Sequence, residues 1–98
     1  FSVKPGGVVE KLVVQSDLVT HGAHVTTYAV EGGKVGAVDI KGRVLAHGKD
    51  ANAVLVADGG STPLTRMRAS AAAGKALVVT DGEITDRTGW SGQGAQSA

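Results

Sequence analysis

The chain has 98 residues, 42% of them apolar but only three aromatic, with ten basic and nine acidic side chains for a formal charge of +1. That length makes one small domain, and the balanced charge excludes a broad polyanion-binding field. The lack of cysteine excludes disulfides and thiolate metal sites, and no apolar run approaches the ~20 residues of a membrane span.

Phe1–Gly7 reads as an N-terminal arm, because Pro5-Gly6-Gly7 breaks regular structure. Val8–Thr20 is rich in β-branched residues. Val9, Lys11, Val13 and Gln15 fall on one side of an extended chain, and Val8, Glu10, Leu12 and Val14 on the other. Neither side is cleanly polar, which predicts a strand covered on both faces or lying at an interface. His21-Gly22-Ala23 reads as a turn, His24–Val30 as a second strand and Glu31-Gly32-Gly33 as another turn.

Lys34–Leu45, KVGAVDIKGRVL, predicts a hairpin turning at Lys41-Gly42. Lys75–Asp86, KALVVTDGEITD, predicts a second hairpin turning at Asp81-Gly82, with Gly82 at positive φ. The two phrases align only with a one-residue shift, so they suggest a shared shape rather than a duplication. Between them, His47–Asn52 is a polar loop and Ala53–Ala57 a nearly all-apolar central strand.

Thr62–Gly74 is ambiguous. Thr62 can cap a helix that Pro63 opens and Gly74 closes; alternatively Leu64–Ala69 is a strand and Ser70–Gly74 a turn. Thr88–Ala98 reads as a flexible tail around Trp90. The resulting division is an arm at 1–7, a single β domain at 8–87 and a tail at 88–98.

With Phe1, Tyr28 and Trp90 the only aromatics, the core must be built of Val, Leu, Ile and Ala. Each large side chain then contributes about 1.5–3 kcal/mol at best. Such a thin core favours further burial against a partner. The glycines recur roughly every ten residues, the rhythm of a β-sandwich or barrel, and no phosphate-binding loop is present. The expected core is Val13, Val25, Val35, Val38, Val44, Leu55, Val78 and Ile84.

Candidate chemistry is sparse. His21, His24 and His47, with Asp50 or Asp58, are the only conventional metal ligands, and they lack a metal-site spacing. Ser16, Asp17 and His21, or Ser61, His47 and Asp58, supply the residue types of hydrolysis without a motif. Asp81, Glu83 and Asp86 surround a predicted turn and read as a solvated surface. Arg66, Arg68 and Lys75 form the densest basic patch but have no aromatic neighbours for base stacking. The expectation is a non-enzyme with no catalytic residue, no metal site and no cofactor.

GKVGAVDIKGRVLAHGKDANA (Gly33–Ala53) and ASAAAGKALVVTDGEITDRTG (Ala69–Gly89) resemble the small head-decoration, or cement, proteins of tailed bacteriophages. The resemblance covers about half the chain and carries no catalytic motif. It implies a mainly β fold with at most one short helix, Leu64–Ala69 as a strand and Ser70–Gly74 as a turn. The expected fold is a small sandwich or barrel of about six to eight strands.

The implied function is structural, cementing the outside of a capsid. The partners would be the major capsid protein and copies of the chain itself, with no nucleic acid and no membrane, and the location the virion surface. The expected partner-binding residues are Phe1, Val3 and Pro5 on the arm, Trp90 in the tail, and Arg66 and Arg68 at the rim. The alternatives are a small barrel that binds metal or nucleic acid, or a non-catalytic subunit of another assembly.

Overall fold

The computed structural model describes residues 1–95, and every regular element among them is a β-strand. The chain winds into a β-solenoid of about four turns. The first coil carries β1 (Ser2–Val3), β2 (Val8–Val14) and β3 (Leu18–Thr20). The second carries β4 (Tyr28–Glu31), β5 (Lys34–Ile40) and β6 (Val44–Ala46). The third carries β7 (Val54–Ala57), β8 (Ser61–Thr62) and β9 (Arg68–Ala71). The fourth carries β10 (Leu77–Thr80), β11 (Glu83–Ile84) and β12 (Ser91–Gly94).

Each coil gives one strand to each of three faces. Face A runs β1-β4-β7-β10, face B β11-β8-β5-β2 and face C β12-β9-β6-β3. All pairings are parallel. Parallel neighbours need a long crossover, and here the other two faces of the coil supply it.

The register lines up like positions into columns. Val3, Val30, Val56 and Val79 form one on face A, through the pairs Val3–Val30, Val30–Val56 and Val56–Val79. Beside it Tyr28, Val54 and Leu77 form another. Phe1 extends that column: its carbonyl accepts the Ala29 N–H at 2.9 Å, and its ring stacks on Tyr28 with centroids 5.1 Å apart.

Face C narrows from coil to coil. One inner column reads Leu18, Val44, Ala69, Gly92 and the next Thr20, Ala46, Ala71, Gly94. The space left by the small residues is taken by Trp90, since a Cβ on Gly92 would come within 2.8 Å of the indole. Trp90 packs against the core cluster, and the same position on Gly92 faces the nearly fully buried Ala76.

The corner from face A to face B is built on a column of glycines: Gly7, Gly33, Gly60 and Gly82. The residue after each of the last three donates to the previous coil's glycine: Lys34 N–H to Gly7 O (3.0 Å), Ser61 to Gly33 (3.0 Å), Glu83 to Gly60 (2.9 Å). The backbones pass too close for a side chain. A Cβ on Gly60 would sit 2.7 Å from Val30 O, and one on Gly33 would collide with Val3 Cγ1.

Two polar links cross the core, and no buried side-chain N or O among the described residues lacks a partner. Thr20 Oγ1 lies 2.8 Å from Thr27 Oγ1, which donates to Leu45 O at 2.9 Å. Tyr28 meets Thr62 in the same way, and Thr62 donates to Pro63 O at 2.9 Å.

Several expectations are corrected. The fold is all β, but a solenoid rather than a sandwich or barrel. Lys41-Gly42 and Asp81-Gly82 are corners between faces, not hairpin turns, because each flanking strand pairs with a strand of another coil. At the second corner the positive φ belongs to Asp81 (56°), not Gly82.

Thr62–Gly74 holds no helix. Leu64–Met67 closes as a turn with Met67 N–H on Leu64 O at 3.2 Å and Arg66 at φ 56°. That turn puts Leu64 and Met67 in the core, and Ala69 and Ala71 then alternate inward along β9. The expected strand at Leu64–Ala69 therefore starts later, at Arg68.

The expected arm is part of the first coil, with Ser2 and Val3 paired to β4 and the N-terminal ammonium on Thr27 O at 2.9 Å. Ser91–Gly94, expected in the tail, pairs with β9; the last positions of that tail, 96–98, lie outside the described residues.

Of the expected core, Val35 and Val44 are buried and Val38 and Ile84 pack against them. Leu55 and Val78 pair in a half-buried outer column of face A. Val13 is exposed because the half-buried positions on β2 are Val9, Leu12 and Val14, and Val25 is exposed in the connection between β3 and β4.

Candidate functional site

The end coils show their apolar residues to solvent. Among the described residues the exposed large hydrophobics are Val8 (71%), Val13 (46%), Val19 (39%), Val25 (45%) and Val79 (42%). Four of these five stand on the first coil. They arise because Val8–Val25 carries valine at outward as well as inward positions.

Under the same coil, β2 has β5 on one side and no described strand on the other. Its inward residues Val9, Leu12 and Val14 are half-buried. A shallow cleft of about 510 Å³ opens on face B beside Val8, Val9 and Gly36. An open strand edge and adjacent apolar side chains are together what strand addition by a partner requires. Glu10 and Lys11 stand exposed midway along β2, charges that limit indiscriminate pairing at the edge.

The expected partner-binding residues do not form one surface. Phe1 and Val3 belong to the first coil, where Val3 is buried in the core and Phe1 covers Tyr28. Pro5 is exposed at the corner of that coil, against Gly32. Arg66 is exposed at a third-coil corner, and Trp90 lies over the fourth coil at the other end of the solenoid.

Arg68 stands on the outside of face C with its Nη2 on Lys41 O at 3.0 Å. Next to it is Arg43, which the basic patch read from the sequence omitted. A cleft of about 240 Å³ lies here, lined by Arg43, Arg68, Ser70, Ser91 and Gln93. The signal that could have joined the two arginines is their common place before the paired residues Val44 and Ala69.

His21 and His47 do meet, one coil apart, with rings stacked at 5.2 Å and 16°. His24 is turned away from regular backbone by a φ of 60°. Among the described residues no three His, Cys, Asp or Glu side chains cluster as metal ligands. Asp86 is a structural acid: it accepts from the Thr88 N–H (3.0 Å), the Thr88 hydroxyl (2.7 Å) and the Thr65 hydroxyl (2.8 Å). These bonds, with the Thr88 backbone foremost, hold its carboxyl below the ordinary range.

No family model matches the chain, nor does any curated protein or solved structure.

Proposed function

We propose that this chain is a structural, non-catalytic binding module that joins a larger assembly through its first coil. The observation that carries the reading is the gathering of Val8, Val13, Val19 and Val25 on that one coil, beside the open edge of β2. A partner strand laid along β2 would satisfy its free backbone groups and cover Val8 and Val13, and the rest of the partner's surface would meet Val19 and Val25. Each valine removed from water in this way is worth up to about 1.5 kcal/mol.

A capsid surface is the assembly that the sequence resemblance suggests, with the major capsid protein as partner and further copies alongside. The hairpins in the phrases behind that resemblance are corners here, so the reading rests on the first coil rather than on them.

The test compares the native chain with Val8→Lys/Val13→Lys, both substitutions at exposed positions that leave the core intact. Light scattering over a range of concentrations reads self-association, and co-sedimentation with candidate phage capsids reads docking. The expected result is association by the native chain and its loss in the variant at an unchanged Tm. A native chain that stays monomeric and sediments with no capsid would sink the reading.

A further inference from the structure

The geometry points to the face C cleft as a binding site for an oxyanion, of the kind borne by an acidic sugar or by a small inorganic anion. Arg43 and Arg68 precede Val44 and Ala69, which are ladder partners, so the two arginines stand one coil apart on the same face. Strands in a sheet are about 4.8 Å apart, so both side chains leave the backbone close enough for their guanidinium groups to reach one anion in the cleft they line. No carboxylate among the described residues forms an ion pair with either arginine. Asp17, at the same corner, accepts the Arg43 backbone N–H on its Oδ1 at 2.8 Å.

The rest of the lining is uncharged: Ser70, Ser91 and Gln93 offer hydrogen bonds beside the small residues Ala69 and Gly92. Ser91 pairs with Arg68 across the ladder, so the fourth coil continues the arginine column with a hydroxyl, and Gln93 brings an amide to the neighbouring column opposite Ser70. Arg68 is also held in place: its bond to Lys41 O fixes one edge of the guanidinium and leaves the rest of the fork for a ligand.

At about 240 Å³ the cleft is below the usual size for drug-sized ligands, which suits a single acidic sugar residue or a smaller anion. The donors match hydroxyl and oxyanion groups, and no aromatic side chain lines the cleft to stack a nucleobase.

The experiment is an amide-resolved NMR titration of the full chain with inorganic sulfate, with galacturonate and with a short single-stranded oligonucleotide. It is repeated on Arg43→Gln/Arg68→Gln and on a control, Arg66→Gln/Arg87→Gln. Saturable shifts at Ser70, Ser91 and Gln93 are expected with sulfate or galacturonate. Affinity should fall by roughly tenfold for each cleft arginine removed and stay unchanged in the control.

Tighter binding of galacturonate identifies a sugar ligand, and tighter binding of sulfate a free anion; both support the site. All four arginines are exposed, so unchanged thermal unfolding serves as the check on folding. Shifts that never saturate, that survive in the cleft variant or that weaken equally in the control would overturn the proposal. So would tighter binding of the oligonucleotide through the same residues.

Discussion

Tyr28 and Thr62, 34 residues apart in the chain, meet hydroxyl to hydroxyl at 2.7 Å in the middle of the core. Thr62 gives its only proton to Pro63 O, so the bond runs from the phenol to the threonine. This link holds a face A strand to a face B strand of the next coil, and both side chains are fully buried. Burial pushes the Tyr28 phenol up to about 12, opposed in part by Thr62. A phenolate there could be met only by Thr62 turning its proton away from Pro63.

The sign of the resulting pH dependence follows. The folded pKa lies above the unfolded value near 10, so the stabilisation is whole below pH 10 and is lost as pH rises through about 12. The loss attributable to Tyr28 should reach about 2–3 kcal/mol. Urea unfolding of the native chain and Tyr28→Phe across this range isolates it. The variant should start about 1 kcal/mol less stable at neutral pH, and as the pH rises the gap should close and then reverse, leaving the variant the more stable by about 1–2 kcal/mol near pH 12. A gap that stays constant to pH 12 would refute the assignment.

Gly82 is required for space rather than for backbone conformation. A Cβ there would lie 2.7 Å from both Val56 Cγ1 and Val56 O, so Gly82→Ala should destabilise by about 1–3 kcal/mol. Asp81, at φ 56°, holds the strained backbone, and Asp81→Gly should be neutral or stabilising by a few tenths of a kcal/mol. Chemical denaturation of the two variants checks the contrast. The opposite order would place the positive φ on the glycine.

The valine column gives a measure of how open the fourth coil is. Val56 is fully buried and Val79, its ladder partner, is 42% exposed. Val56→Ala should cost about 2 kcal/mol, from lost burial and the cavity left behind, and Val79→Ala less than about 1. Equal losses in the isolated chain would mean that the last coil is covered in solution.

Trp90 is the single tryptophan and reports on that coil. In solenoids each repeat rests only on its neighbours, and stability is shared locally. Its fluorescence should therefore shift at lower urea than the far-UV circular dichroism of the whole chain. Gly92→Leu, which crowds the indole, should move the fluorescence transition further down and change the other less. Coincident transitions in both proteins would argue for one cooperative unit.

The β content, the glycine turns and the central strand at Ala53–Ala57 could be read locally, since each depends on residue type and near neighbours. The solenoid could not be read that way. A corner and a hairpin turn use the same chemistry, and Lys41-Gly42 does not say whether β6 will pair with the strand before it or with one 26 residues away.

The repeat was nonetheless present. Gly7, Gly33 and Gly60 are 26 and 27 residues apart, and His21-Gly22 returns after 26 as His47-Gly48. Reading the glycines at a ten-residue rhythm merges corners of different faces and hides this longer period. The fourth corner, Gly82, comes after only 22 residues, which blurs the pattern further. The aromatics misled for a related reason: Phe1 and Trp90 lie near the ends of the sequence, but the coils bring Phe1 onto Tyr28 and Trp90 onto the core. The exposed valine ring, by contrast, was half visible in the two-sided apolar pattern of Val8–Thr20.

The gradation Leu18, Val44, Ala69, Gly92 along face C gives the molecule a direction. Identical coils could be exchanged, duplicated or joined in any order, but these cannot. A second copy of the coil carrying Leu18 inserted after the coil carrying Ala69 would drive a leucine into the place of Trp90. An engineer lengthening this protein would have to begin at the wide end, where leucine already stands.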